Sequence, residues 1–466
     1  MKKYYLGIDL GTSSVKGMVR SAEGDTKKGR AVYGNCENGV VGAWLSAIRE
    51  MIAELCCGLD GEIAALSLSS QVGTYIVDGE TVIDWRSSAG KEELGELRAV
   101  ISQKEFIDGI GMAHPDIISY PLPRLMYIRK NHPDARDVIM PKELIIRELT
   151  GNTVTDVFSM RGIADPKSGR YAEGIIQKLS LSVSLPELKR PTDIGGYVTR
   201  KAAEKYGLPC GIPVYLGCND FFAGLIGMGV YDENTAFDLS GTSEHVGIIS
   251  KERIADGFVS GAYFNRYCTY GGTKSSGESC AFAMSNFGLD ELRKEDIKTV
   301  LDERPPIFLP YLSGERAPIF DENAKGVYFG IGRDTNKKHM AYSALEGVVF
   351  SLIDIWRSMG GSAADKMICG GGSAKDPLMN MLRAELFDCP VYSVTENDTS
   401  ALGAAMIAMV ADGVYKDIPE AIKNNVTYHS AVYPSGRYKE KLEKRFFVYK
   451  KLYSDLSEEF AEFNKI

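Results

Sequence analysis

LGCNDFFAGLIGMGV (216–230), followed after a short polar turn by AFDLSGTSEHVG (236–247), is the stretch on which the reading of this chain turns. Apolar residues lead to an acid, Asp220. A Gly-rich helical segment then gives way to a second strand that runs into the turn Ser240-Gly241-Thr242-Ser243. The N-terminus has the same plan: Tyr4 to Ile8 reads as a strand, and Asp9-Leu10-Gly11-Thr12-Ser13-Ser14 follows it. Two Gly-Thr-Ser turns half a chain apart, each behind a strand, predict two similar domains facing each other across a cleft that holds the chemistry.

Each turn is suited to an anion, because backbone N–H groups at a Gly-containing hairpin close on phosphate and the hydroxyls of Thr12, Ser13 and Ser14 add donors. Asp9 cannot bind phosphate itself but can hold hydrated Mg²⁺. The same letters also make a plain hairpin turn, and the two readings stand side by side at this level. Asp220 reads as a base at a strand end. Its neighbour Asn219 is expected on the opposite face of the strand, where substitution should be mild.

The 466 residues are enough for two or three domains, and two is the simplest division. With 44% hydrophobic and 25% charged residues, the chain reads as folded almost end to end. A net charge of −8 argues against a nucleic-acid surface. No signal-peptide core or run of about 18 apolar residues occurs, so a cytoplasmic location and no membrane partner are expected. The nine cysteines show no C-x-x-C pair, which indicates neither a disulfide framework nor zinc.

Between the turns, Trp44–Leu55 has helical spacing, Ile63–Leu68 reads as a buried strand, and Val72–Val77 as the next strand, an α/β order. Gln71 at a strand end, with Trp85 in the following loop, could line a pocket for hydroxyl groups or sit at an edge facing water. Pro141–Thr150 reads as a helix closed by Gly151. Phe308–Pro318 reads as a long loop near the cleft, and a long amphipathic helix over Tyr342–Trp356 follows. Gly370-Gly371-Gly372-Ser373 stands between a strand and a helix, where backbone can approach a flat or anionic ligand. Asp398-Thr399 caps a small-residue helix, Ala401–Ala411, built for tight packing. Leu442, Phe446, Tyr449, Tyr453, Leu456 and Phe460 form one apolar stripe of a terminal helix.

GIDLGTSSVK at the start, GCND in the middle, DLSGTS, PYLSGERAP with AKGVYFG behind it, and GGGS near the C-terminus resemble the FGGY family of carbohydrate kinases, in its xylulokinase-like branch. The resemblance implies two ribonuclease-H-like domains of the actin/hexokinase/Hsp70 type: residues 1–233, sugar-binding, and 234–466, nucleotide-binding. It implies an ATP-dependent phosphotransferase acting on an alcohol group of a ketose or polyol, with ATP and Mg²⁺ as cofactors and a homodimer as an open alternative for the assembly. On the matching positions, Asp220 is the catalytic base and Asp9 the metal-site acid. Gly11, Thr12 and Ser13, and Gly241, Thr242 and Ser243, are the phosphate turns. Gly371, Gly372 and Ser373 lie at the nucleotide, and Gln71 and Trp85 at the sugar.

The chain also departs from that pattern. Gln71-Val72-Gly73 stands for Gln-Met-His, Trp85-Arg86-Ser87 for Trp-x-Asp, Ala324-Lys325-Gly326 for Ala-Arg-Gly, and Ala384-Glu385 for Ala-Asp. The first two remove expected sugar contacts, so a standard xylulose pocket is not expected. The rivals to a sugar kinase are an actin- or Hsp70-like switch ATPase and a sugar-binding kinase homologue without turnover.

Overall fold

The computed structural model describes residues 1–34, 39–114, 117–241, 243–254, 258–288, 292, 297–361 and 363–466. The chain divides into two compact units. The first comprises Met1–Tyr231, Gly261–Asn265 and Asp398–Val426, and the second comprises Asp232–Ser260, Arg266–Asn397 and Thr427–Ile466.

In the first unit, strands β1 (Lys2–Leu10), β2 (Ser14–Ser21), β3 (Thr26–Val32), β4 (Gly61–Ser70), β5 (Ile194–Tyr197) and β6 (Pro213–Asn219) form one sheet. Their order is β5-β6-β4-β1-β2-β3. The first three strands pair antiparallel, and β4 and β6 run parallel to β1. Apolar side chains of β1 and β4 and of the helix Gly39–Cys56, among them Leu6, Ile8, Ile48, Met51, Leu66 and Leu68, are fully buried. Near its end β6 carries a bulge against β4 between Tyr215 and Cys218. Gly217 sits there at φ 66°, where a Cβ would stand 1.8 Å from the Leu68 carbonyl oxygen. The bulge re-aims the last strand residues just before Asp220.

The second unit repeats this plan with β7 (Thr235–Ser240), β8 (Glu244–Ser250), β9 (Arg266–Gly272), β10 (Lys366–Gly371) and β11 (Val391–Ser393). They lie in the order β9-β8-β7-β10-β11, with antiparallel pairing from β7 to β9 and parallel pairing from β7 to β11. The helix Lys337–Ser358 is buried along nearly its whole length. The terminal helix Lys439–Phe463 docks its stripe Leu442, Phe446, Tyr449 and Phe460 on the unit's core. Two sheets of this shared topology make the fold ribonuclease-H-like, of the actin/hexokinase type.

Several sequence expectations need correction. The expected division after residue 233 lies beside the Tyr231/Asp232 boundary of the compact units, and the first unit also takes in Gly261–Asn265 and Asp398–Val426. The cause is steric fit. The helix Thr399–Ala411 lies so close to β1 that a Cβ on Gly7 would meet the Ala401 carbonyl oxygen at 2.0 Å. A Cβ on Gly403 would meet the Ala223 carbonyl oxygen at 1.9 Å. The strand expected over 72–77 shortens to Tyr75–Val77, with Gly73 at φ 82° in a turn beside Ser119. Phe308 and Leu309, expected in a loop, join a short strand, Ile307–Leu309, paired with Val327–Phe329.

Candidate active site

Both Gly-Thr-Ser turns are tight hairpin tips. Gly11 N–H donates to the Ser14 carbonyl at 3.1 Å, and Gly241 N–H to the Ser243 carbonyl at 2.9 Å. Thr12 and Ser13 are exposed, Gly11 and Ser243 are half-buried, and Gly241 is exposed. Thr242 lies outside the described residues.

Asp220 is the first residue of the helix Asp220–Met228 rather than the last of a strand. One carboxylate oxygen accepts the Phe221 N–H at 2.9 Å, and the Ser400 hydroxyl donates to the Asp220 carbonyl at 3.0 Å. Burial, with the Asp9 carboxylate second, pushes Asp220 up to about 7 against the lowering effect of the Phe221 N–H. A carboxylate poised near neutral pH is what a general base requires. Asp9 is likewise raised by burial, and the Ser69 hydroxyl, donating at 3.0 Å, and the Lys16 charge partly offset this. Strand register explains Lys16, which stands directly opposite Asp9 in the β1–β2 pair. Its ammonium pairs with Asp398 at 2.9 Å. Asp398 therefore occupies the N-cap position of the helix Thr399–Ala411 without capping it through its side chain, contrary to expectation.

Asn219 is not the tolerant neighbour expected. It is buried, caps the helix by accepting the Phe222 N–H at 3.0 Å, and donates to the Phe158 carbonyl at 2.9 Å. The bulge and the strand-to-helix transition defeat the simple alternation of faces.

Three residues taken singly from the sequence are joined here. The Thr12 hydroxyl donates to the Gln71 side-chain oxygen at 3.1 Å, and the Trp85 indole N–H donates to Thr12 at 3.2 Å. Gln71 is buried and its backbone N–H is bound to Leu10, while Trp85 remains 37% exposed and thus open to a ligand. Of the two readings of Gln71, the edge facing water is excluded. The loop carrying Trp85 is held by Arg124, a fully buried guanidinium. It donates to the carbonyls of Asp84, Trp85 and Ser87 at 3.0–3.2 Å and to the Ser87 hydroxyl at 2.6 Å. Sequence reasoning missed Arg124. The available signal was one charge inside the apolar face Leu122, Leu125, Met126 and Ile128.

In the second unit, Gly371 ends β10 and Gly372 and Ser373 follow it; the three are half-buried, exposed and half-buried. Ser373 differs from expectation in how it is used: its hydroxyl donates to Glu244 at 2.7 Å and accepts from Arg383 at 2.5 Å. These internal bonds use the hydroxyl's donor and one of its acceptor positions. Glu385, of the altered Ala-Glu pair, is buried and accepts the Ser435 N–H and hydroxyl, which makes it a structural group.

Sequence profiles of the FGGY family of carbohydrate kinases match this chain twice: the N-terminal domain over residues 4–227 and the C-terminal domain over 239–411. The chain belongs to that family. A xylulose kinase of Lactococcus lactis is 26% identical over 99% of both chains, and one of Escherichia coli K12 is 26% identical over 97% of this chain and 99% of that one. A gluconokinase of Bacillus licheniformis is 24% identical over 89% of this chain and 88% of its own. Among solved structures, a gluconate kinase and a ligand-bound xylulose kinase of Lactobacillus acidophilus both superpose with a TM-score of 0.87, at 22% and 23% identity. Each covers 99% of this chain and 100% of its own, and both likenesses speak to the fold. The protein is an ATP-dependent sugar kinase, a phosphotransferase with an alcohol group as acceptor. The switch-ATPase alternative finds no support in these relatives. Among the described residues no helix is long and apolar enough to cross a membrane.

Proposed function

We propose that the enzyme transfers the γ-phosphoryl group of ATP to one hydroxyl of a ketose or polyol, with Asp220 as general base. The observation that carries this reading is Asp220 itself, held at a helix start beside Asp9 with its carboxyl raised to about 7. A sugar hydroxyl is a weak nucleophile, and the Asp220 carboxylate accepts its proton as the bond to phosphorus forms. Gln71 and Trp85 orient the acceptor, and Thr12 links them. Gly11, Thr12 and Ser13 in the first unit, and Gly241, Thr242 and Ser243 in the second, offer amides and hydroxyls to the phosphates, where charge stabilisation is most of what protein supplies. Gly371 and Gly372 leave backbone open to the nucleotide.

Among the described residues no three His, Cys, Asp or Glu side chains gather closely enough to hold a metal on their own. Mg²⁺ binds through one or two carboxylates, waters and substrate phosphates, and a single carboxylate such as Asp9 fits that demand. Asp9, half-buried beside Ser69, would hold it, and when bound the ion neutralises phosphate charge. We place the enzyme in the cytoplasm and take a homodimer as the assembly to test by sedimentation.

A coupled ADP-release screen over ketopentoses, ketohexoses, polyols and sugar acids tests the reading. ADP should appear only with Mg²⁺ and a suitable acceptor; equal hydrolysis with and without every acceptor would remove the kinase assignment. D-xylulose should be a secondary substrate. Arg86 is folded back on Asp84 at 2.8 Å and Ser87 accepts from Arg124 at 2.6 Å, so neither supplies the carboxylate of the Trp-x-Asp pattern. An unmatched hydroxyl costs about 1–3 kcal/mol.

The pH profile is a further test. Because the base must be ionised, kcat/KM for the acceptor should fall about tenfold per unit below pH 7, and a profile flat from pH 5.5 to 8 would exclude Asp220 as the base.

A further inference from the structure

The second unit buries two carboxyl side chains around one guanidinium. Arg383, on the helix Pro377–Phe387, is 0% exposed, and Asp238 and Glu244 are each 1% exposed. Its Nε stands 2.6 Å from Asp238, within β7, and one terminal nitrogen donates to Glu244, at the start of β8, at 2.8 Å. That nitrogen also donates to the Ser373 hydroxyl, and the other donates to the Ser373 carbonyl at 3.3 Å and the Asn380 side chain at 3.0 Å. Glu244 accepts the hydroxyls of Ser276 and Ser373 as well. The Ser240 hydroxyl closes the circuit, accepting the Ser373 N–H and donating to the Gly370 carbonyl, both at 2.9 Å.

Two short pieces of chain are thereby tied together: the hairpin tip between Ser240 and Glu244, and the loop Gly370–Ser373. Their approach is close, since a Cβ on Gly371, at φ 84°, would stand 2.0 Å from the Ser240 carbonyl oxygen. Burial pushes Asp238 well above the usual carboxylate range. For Glu244, burial is overcome by Arg383, Asp238 and the two hydroxyls, so it stays ionised below its ordinary value. A buried ion pair is a poor source of stability compared with apolar packing of the same volume, so the use of this cluster is geometric. Only a guanidinium, with five donors in a rigid fork, can serve both carboxylates and the Ser373 loop at once.

We propose that Arg383 is a positioning residue for the nucleotide, clamping the Ser240–Glu244 turn to the Gly370–Ser373 loop at the spacing that ATP requires. The proposal rests on the reading of those two turns as the nucleotide site. It acts through the Glu244 and Ser373 bonds, without contact between Arg383 and the nucleotide.

Three variants test it: Arg383→Lys, which keeps the charge and loses the fork, Ser373→Ala, and Gly371→Ala. MgADP affinity is measured by calorimetry, KM for ATP and for the best acceptor by ADP release, and folding by circular dichroism. Arg383→Lys should weaken MgADP and raise the KM for ATP by roughly tenfold, with the acceptor KM changed by less than about twofold. A folded Arg383→Lys variant with native MgADP affinity overturns the proposal, as does a parallel loss of both affinities. If Arg383→Lys fails to fold, Ser373→Ala decides: a weakening of MgADP by roughly threefold or more supports the clamp, and native affinity overturns it. Gly371→Ala separates the two levels of inference. If it and Arg383→Lys both bind MgADP normally, the nucleotide reading of the turns falls and takes the clamp with it. If Gly371→Ala alone weakens binding, only the clamp is lost.

Discussion

Asp220→Asn is expected to lower kcat by roughly 10²–10⁴-fold while leaving ATP and acceptor affinities nearly unchanged. The amide reproduces the shape of the carboxylate and can still accept the Phe221 N–H that Asp220 accepts at 2.9 Å. It cannot take the proton from the acceptor hydroxyl, so the loss falls on the chemical step. The same substitution should not destabilise the fold. A carboxyl whose folded value is raised from 3.8 to about 7 favours the folded state when protonated, and that contribution is lost as pH rises from about 4 through 7. At neutral pH and above, the neutral amide should therefore melt at or above the native temperature. Calorimetric affinities, kcat and a melting curve at pH 8 check all three parts. Near-native turnover in this variant would remove the base assignment, and a large drop in melting temperature would mean the kinetic loss reports on misfolding.

Gly7→Ala should damage the fold severely. The new methyl would sit 2.0 Å from the Ala401 carbonyl oxygen and 2.5 Å from the Ala405 N–H nitrogen, and neither backbone atom can yield unless the helix leaves the sheet. Gly7 has no positive φ to satisfy, so the clash alone is at issue. A cost of at least about 3 kcal/mol is expected, at the upper end for overpacking. Gly174→Ala is the matched control, since nothing lies within 4 Å of its Cβ and its helical site favours Ala. Equal melting temperatures for the two variants would show that the helix Thr399–Ala411 can move off β1 at little cost.

Local signals made much of the fold legible. The Pro141–Thr150 helix with its Gly151 cap at φ 82° and the terminal stripe from Leu442 to Phe460 follow from periodicity and capping, which need no knowledge of the rest of the chain. What was not legible depends on partners distant in sequence. The small residues of 401–411 announced close packing but not its target, because glycine and alanine fit any near surface. Thr12, Gln71 and Trp85 were each visible, yet only the fold joins them by hydrogen bonds. Ser373 looked free for a ligand because its partners Glu244 and Arg383 are remote in sequence. Arg124 and Arg383 carried a weaker signal, a charge in an apolar helical face, which marks a buried role without saying which.

The return of Asp398–Val426 to the first unit also governs the order in which the protein can form during synthesis. The sheet of that unit is complete once Asn219 has been made, but the helix that covers Gly7 lies roughly 200 residues further on. At translation rates of about 5–20 residues per second, its apolar face waits roughly 10–40 s for its own cover. In that interval the surface stays uncovered, and most of the second unit, Asp232–Ser260 and Arg266–Asn397, is synthesised before the first can finish folding.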